Sequence, residues 1–383
     1  MHICLVYDCL FPWTVGGAER WYRNLGERLS GEGHRVTYLT MRQWDEPPTI
    51  AGIGVVAVCP RMALYRHGRR RILPPIAFGL GVLLHLLLRG RRYDVVHTAS
   101  FPFFSMLAIG MCRPLGRYRI ICDWHEVWSD HYWREYLGRL GAVGAWVQRL
   151  CARVPHRAYA FSRLHAERLR RLGVCEVTQL TGEYAGADAG PLLPLAVDPP
   201  TILYAGRFIP EKRIDLLVAA LPLVRDAIPD IRLRLLGDGP TRAPIIELIA
   251  KLGLETPVEC PGFVPTATID EATREALCVV QPSSREGYGM VVVEASSRGT
   301  PAIVVAGEDN AATELIDEDR NGFVVAAPQL TLLAEAIIRC WREGEALRSR
   351  TRAWYRENEE RLSLETSLRT VARNMDEHAP ITA

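Results

Sequence analysis

The sequence predicts two doubly wound α/β domains in tandem, and three observations carry that prediction. Short apolar runs rich in β-branched residues alternate with amphipathic stretches, as βαβ units around a parallel sheet require. The alternation dissolves over residues 183–200, where glycine, alanine and proline take over, and then starts afresh. At 383 residues the chain also exceeds what one hydrophobic core usually organises.

In the first series, residues 2–7 read as a strand. Residues 17–30 follow as a helix with Ala18, Trp21, Leu25 and Leu29 on one face, ended by Gly31 and Gly33. Residues 36–40, 55–58, 94–98, 118–123 and 158–161 continue the strands. In the second series, Thr201–Ala205 is a strand, and Ile214, Leu217, Val218, Leu221 and Val224 mark a helix face. Residues 231–236 form a strand closed by Gly237-Asp238-Gly239-Pro240. Residues 277–281, Ala302–Val305 and Gly322–Val325 complete the sheet. The expected domains are 1–184 and 201–363, joined by a linker over 185–200. A final helix within 364–383 is expected to cross back to the first domain. Two such sheets imply a cleft between them, with ligands at the carboxyl ends of the strands.

Hydrophobic residues make up 48% and charged residues 23% of the chain, a soluble globular balance, and a net charge of +2 makes no case for nucleic acid. The reading expects no secretory leader, since Met1 runs straight into the first strand. The ten cysteines are scattered and form no C-x-x-C pair, and Cys4, Cys122 and Cys278 lie inside apolar runs. Buried free thiols in a cytoplasmic protein are therefore expected, without a zinc or redox site.

One segment stands apart. Residues 72–88 are almost wholly apolar and lie between Arg69, Arg70, Arg71 and Arg89, Arg91, Arg92; from 61 to 92 there are eight arginines and no acidic residue. Its prolines and glycines count against a membrane span. Two readings stand: a helix packed on the sheet, or a helix lying on the inner face of a membrane with its arginines among anionic head groups.

The sharpest string is Ser283-Ser284-Arg285-Glu286-Gly287-Tyr288-Gly289-Met290-Val291-Val292-Val293-Glu294-Ala295. A strand ends at Gln281, a glycine-rich turn follows, and an apolar helix begins near Met290. Exposed amides at such a helix start favour an anion such as a diphosphate, and glycines let backbone approach it closely. Glu286 in the turn and Glu294 just over one helical turn in can face one cleft. Ionised carboxylates there suit the paired hydroxyls of a sugar. By spacing alone, the string also suits an ordinary strand-turn-helix with two solvated glutamates.

This stretch resembles the Glu-x7-Glu donor signature of retaining glycosyltransferases of family 4. That family has the GT-B fold, two Rossmann-like domains facing a central cleft. The resemblance implies that Glu286 contacts the donor sugar and Glu294 the ribose hydroxyls. It assigns the sugar and phosphate contacts to the backbone of Gly287, Tyr288, Gly289 and Met290. Tyr204-Ala205-Gly206-Arg207-Phe208, with Lys212 five residues beyond the arginine, is similar to the family's diphosphate pair. The Gly237-Asp238-Gly239-Pro240 turn and Pro261-Gly262-Phe263-Val264 match its donor-domain loops. In the first domain, Val15-Gly16-Gly17-Ala18-Glu19 resembles the loop that closes over the donor phosphates and borders the acceptor. His125, in Asp123-Trp124-His125-Glu126, falls where the family has a histidine near the reacting sugar.

The catalytic set that the resemblance implies is thus His125, Arg207, Lys212 and Glu286. Gly16, Gly17, Gly206 and Val264 join the donor contacts, and Glu19, Trp124 and Trp128 are expected at the acceptor. Trp124, Trp128, Tyr132 and Tyr136 recur every fourth residue, which reads as a helical stripe serving the core or sugar faces. The usual tryptophan of the family's crossover motif stands here as Leu364.

The resemblance also implies transfer with retention, from a nucleotide-diphosphate sugar to a small-molecule, glycan or lipid-linked acceptor. No metal or other cofactor is expected, because fixed cations such as Arg207 and Lys212 would stabilise the leaving diphosphate. The alternatives are a sugar-nucleotide epimerase of the same fold, a non-catalytic nucleotide-sugar-binding protein and a Rossmann oxidoreductase. Against the last, Gly52-x-Gly54-x-x-Ala57 runs into a strand instead of following one. Asp317-Glu318-Asp319 is expected to be a solvated turn and not a metal-binding D-x-D.

Overall fold

The computed structural model describes residues 1–14, 16–66, 69–186 and 198–376. They belong to two units, the first running to Glu183 and resuming at Leu364, the second spanning Tyr184–Ser363. Val15 and most of the expected linker lie outside the described residues.

Unit 1 runs β1 (His2–Val6), α1 (Gly17–Gly31), β2 (Arg35–Met41), β3 (Ile53–Cys59), α2 (Leu73–Arg89), β4 (Val95–Ala99) and α3 (Phe103–Gly116). It continues with β5 (Arg119–Trp124), α4 (Asp130–Leu137), α5 (Gly141–Arg153), β6 (Arg157–Ala160), α6 (Arg163–Arg171) and β7 (Val177–Gln179). The strands are all parallel, in the order β3-β2-β1-β4-β5-β6-β7. Ile3, Cys4, Leu5 and Val6 are all buried, so β1 is apolar on both faces, as a strand covered by helices on both sides must be.

Unit 2 repeats the plan. It runs β8 (Thr201–Ala205), α7 (Ile214–Ala227), β9 (Arg232–Leu236), α8 (Arg242–Lys251), β10 (Val258–Gly262), α9 (Thr266–Glu275) and β11 (Cys278–Gln281). Then come α10 (Met290–Ser297), β12 (Ala302–Val305), β13 (Gly322–Val325) and α11 (Leu330–Leu362). Its parallel sheet is ordered β10-β9-β8-β11-β12-β13. Each unit therefore has the first-to-sixth strand order of a doubly wound sheet, with its switch point between the first and fourth strands. In unit 1 that point lies between β1 and β4, and in unit 2 between β8 and β11.

The chain then returns to unit 1 as α12 (Leu364–Asp376). Arg28 pairs with Glu365 at 2.7 Å, while Arg119 and Arg157 donate to the carbonyls of Met375 and Asn374 at 3.2 and 3.4 Å. Arginines at those last carbonyls suit the negative end of the helix.

Three expectations need correction. β7 and β10 were not expected as strands: β7 has three residues, and Pro261 in β10 removes a ladder donor, tolerable because β10 is an edge strand. The aromatic stripe is not one helix, because Trp124 ends β5 and α4 starts only at Asp130. The rings still cluster, with Trp128 4.9 Å from Tyr132, 4.6 Å from Trp133 and 5.2 Å from Tyr136.

The apolar segment forms α2, which packs on the sheet through Phe78, Val82 and Leu86. Residues Leu73–Arg92 are long and apolar enough to cross a membrane, yet less than half of their apolar stretch is buried. Leu80, Leu84, Leu87 and Leu88 face outward, and so do Met111 and Leu115 of the neighbouring α3 and Val143 and Trp146 of α5. All ten cysteines are free thiols, eight of them buried.

Candidate active site

In unit 2 the loops that follow β8, β9, β10 and β11 are laced together by main-chain hydrogen bonds. Gly206 N donates to Leu236 O, Phe208 N to Asp238 O, Gly237 N to Gly262 O and Ser284 N to Glu211 O, each at 2.9 Å. Gly237 makes the close approach possible. Its φ of 138° disfavours a side chain, and a Cβ there would collide with Gly206 O. Gly237→Ala is therefore expected to destabilise unit 2 by about 1–3 kcal/mol, read as a lower urea midpoint.

Within that frame Lys212 Nζ lies 2.5 Å from Glu286 Oε1, with both side chains largely buried. Gln281 Nε2 donates to the same oxygen at 2.6 Å. The turn that carries Glu286 is fastened from behind: Asn310 Nδ2 donates to Ser283 O and Val305 O at 3.0 and 2.8 Å, and Glu286 pairs in register with Asn310. Gly289, at φ 105°, then caps α10, and as a glycine it brings no side chain to the first amides of that helix. Such a start is suited to an anion. Glu294 is half-buried one turn into α10, and Tyr288 is buried. Arg207 is exposed, on a loop fixed by the Tyr204 hydroxyl donating to its carbonyl at 2.9 Å. Val264 is half-buried against the cluster of Leu203, Leu236 and Ala295.

In unit 1, Gly16 caps α1, and the Glu19 carboxylate folds back over it, where a Cβ on Gly16 would strike Oε2. Glu19 thus sits in the first turn of α1, where a carboxylate suits the positive end of the helix. His125 follows β5, stacks on Phe161 at 4.5 Å and holds Nδ1 3.6 Å from Glu183 Oε1. Its Nε2 has no hydrogen-bond partner among the described residues. Trp124 does not fit the acceptor role: it is fully buried, and its Nε1 donates to His156 Nε2 at 3.0 Å. Trp128 remains partly accessible, with Nε1 donating to Glu126 at 2.6 Å.

Behind His125 lies a buried polar network. Asp123 receives Trp21 Nε1 at 2.7 Å and His97 Nε2 at 2.8 Å, and both Asp123 and His97 are fully buried. Burial pushes the Asp123 carboxyl up, but the His97 imidazole and hydrogen bonds from His97 and Trp21 outweigh it and hold the carboxyl below its ordinary value.

The acidic run at 317–319 is a turn tied up by arginines. Asp317 pairs with Arg320 at 3.0 Å, and Arg339 pairs with Glu318 and Asp319. Sequence reasoning missed Gln281, His97 and Glu183. Each is a single polar residue outside any motif, so only its packing partner gives it away.

Fold and site together define a glycosyltransferase of the GT-B type. The chain matches the family described as "Glycosyltransferase Family 4" over residues 15–179 and that described as "Glycosyl transferases group 1" over 193–358. Together the two matches span most of the chain, and both are to glycosyltransferase families. Among curated proteins it is 32% identical over 152 residues to an exopolysaccharide phosphotransferase of Streptomyces coelicolor, covering 39% of this chain and 16% of that one. The next curated relatives are matched over only 36% and 38% of their lengths. Among solved structures, sucrose-phosphate synthase from Thermosynechococcus elongatus superposes with a TM-score of 0.80 at 20% identity, over 98% of each chain. HepE of Anabaena in complex with UDP-glucose superposes with a TM-score of 0.72 at 18% identity, over 98% of this chain and 100% of that one.

Proposed function

We propose that the chain moves a sugar from a nucleoside-diphosphate donor to an acceptor hydroxyl, with retention of configuration and without a metal ion. The observation that carries the reading is the Lys212–Glu286 pair at the switch point of unit 2, just ahead of the uncapped start of α10. The helix amides suit a diphosphate, the ammonium offsets charge on the leaving group, and the carboxylate accepts from sugar hydroxyls. Arg207 adds a second cation, Glu294 meets the ribose, and Gly16, Gly17 and His125 keep the roles that the resemblance implies. The UDP-glucose bound by HepE supports a nucleotide-sugar donor.

The test is a panel of nucleotide sugars screened for thermal stabilisation, since a ligand of the native state raises the apparent melting temperature. The best donor then enters transfer assays with and without EDTA, and the product anomer is assigned by NMR. A retained anomer and unchanged rates in EDTA are expected. Rates abolished by EDTA and restored by manganese would overturn the metal-free part, and stabilisation by NADH alone would favour an oxidoreductase.

The outward face of unit 1 supports a second proposal, that this cytoplasmic enzyme meets a lipid-linked acceptor at the inner face of a membrane. Leu80, Leu84, Leu87 and Leu88 of α2 are exposed beside Arg89, Arg91 and Arg92, and Met111 and Leu115 of α3 are exposed beside Arg113 and Arg117. Each arginine close to an anionic surface adds about 1 kcal/mol, fading as salt shortens the Debye length. Co-sedimentation with phosphatidylglycerol vesicles at low salt, weakened by moderate salt and by the Leu84→Glu/Leu88→Glu pair, is expected. Equal partitioning onto neutral phosphatidylcholine vesicles would refute it.

A further inference from the structure

A glutamine at the end of β11 is out of character with its strand. Cys278, Val279 and Val280 are buried and apolar, and Gln281, only 6% exposed, puts an amide in the same layer. Burying a polar group without full hydrogen bonding is unfavourable. The amide is only half satisfied: Nε2 reaches Glu286 Oε1, while Oε1 of Gln281 has no partner among the described residues, and neither does the buried Ser283 hydroxyl two residues on. An apolar residue would complete the core better. The group that gains from the amide is Glu286.

The two oxygens of Glu286 are used differently. Oε1 takes both protein donors, Lys212 Nζ at 2.5 Å from the loop after β8 and Gln281 Nε2 at 2.6 Å from the end of β11. Among the described residues none donates to Oε2. A carboxylate held by one flexible lysine alone can rotate and exchange its oxygens; a second donor from a buried, strand-anchored side chain removes that freedom.

We propose that Gln281 is a positioning residue of the donor site, holding Glu286 Oε1 against Lys212 so that Oε2 is presented to a hydroxyl of the donor sugar. The inference rests on the reading of Glu286 as the carboxylate that contacts that sugar. Orientation lost at this oxygen weakens recognition of the sugar and leaves recognition of the nucleoside diphosphate alone.

The test uses Gln281→Met, which keeps the length and removes the donor, and the near-isosteric Gln281→Glu, which sets a carboxylate against Glu286. Each is compared with wild type in kcat/KM for the best donor and in affinity for the matching free nucleoside diphosphate. A charged hydrogen bond of this kind implies a loss in kcat/KM of about tenfold or more, larger in Gln281→Glu than in Gln281→Met, with nucleoside-diphosphate affinity unchanged within about twofold. Glu286→Gln serves as the control on the underlying reading. Wild-type kcat/KM in both Gln281 variants beside a slow Glu286→Gln overturns the proposal and leaves the donor site standing. Nucleoside-diphosphate affinity that falls in step with kcat/KM assigns Gln281 a merely structural part and also overturns it. A Glu286→Gln variant as fast as wild type removes the donor-site reading itself, and the proposal with it.

Discussion

Replacing Lys212 with alanine is expected to lower turnover by about two to three orders of magnitude, the range seen when a fixed donor to developing charge is removed. The variant loses two things at once. The ammonium that the proposed function sets against the leaving diphosphate is gone, and so is the shorter of the two contacts that hold Glu286. Because both effects pass through one contact pair, the losses in Lys212→Ala and Glu286→Gln should not add. A double-mutant cycle on kcat is expected to give a double variant little slower than the worse single one. Fully additive losses would separate the two residues into independent roles. Arg207→Ala belongs in the same series, and since no hydrogen bond or ion pair joins Arg207 to Glu286 among the described residues, its effect should add to that of Glu286→Gln.

The second large effect is on stability. His97→Leu is expected to destabilise the protein by about 3–5 kcal/mol, because it leaves the Asp123 carboxylate buried with Trp21 as its remaining donor. The pH dependence gives the sharper test. In the wild type the Asp123 carboxyl is held low, so the folded state binds its proton less readily than the unfolded chain. Its contribution is then complete above the unfolded value of about 3.9 and is lost as pH falls through the folded one. Without His97 the burial that pushes this carboxyl up is no longer outweighed, and the sign reverses. Stability of the variant is then lost as pH rises through the new value. Urea midpoints should show its deficit against wild type widest near neutrality and shrinking as pH falls to about 4. A deficit constant across that range would mean that His97 acts on Asp123 through packing alone.

How much of this was legible in the sequence depended on whether a residue acts through a local pattern or through a distant partner. Thr201–Ala205, Ala302–Val305 and Gly322–Val325 were found to the residue, because a strand buried on both faces is an unbroken apolar run between turn signals. β10 was hidden by Pro261, whose cost vanishes only once the strand is known to be an edge. The four-residue spacing of Trp124, Trp128, Tyr132 and Tyr136 was a true regularity with a false cause, since strand, loop and helix share it. Glu286 and Lys212 were legible as members of one site only through the family resemblance, and their direct pairing across 74 positions was not legible at all. Gln281 and His97 carry no motif. Their meaning lies wholly in which buried carboxylate each one touches.

The arginines that hold α12 bear on how the molecule is made. Unit 1 is not a continuous stretch of chain: Arg28, Arg119 and Arg157 wait for partners at Glu365, Met375 and Asn374, which a ribosome delivers only after all of unit 2. Domains generally fold as they emerge, so unit 2 is complete in sequence and free to fold while its predecessor still lacks a wall. A stop anywhere in α11 would then damage the half of the protein synthesised first.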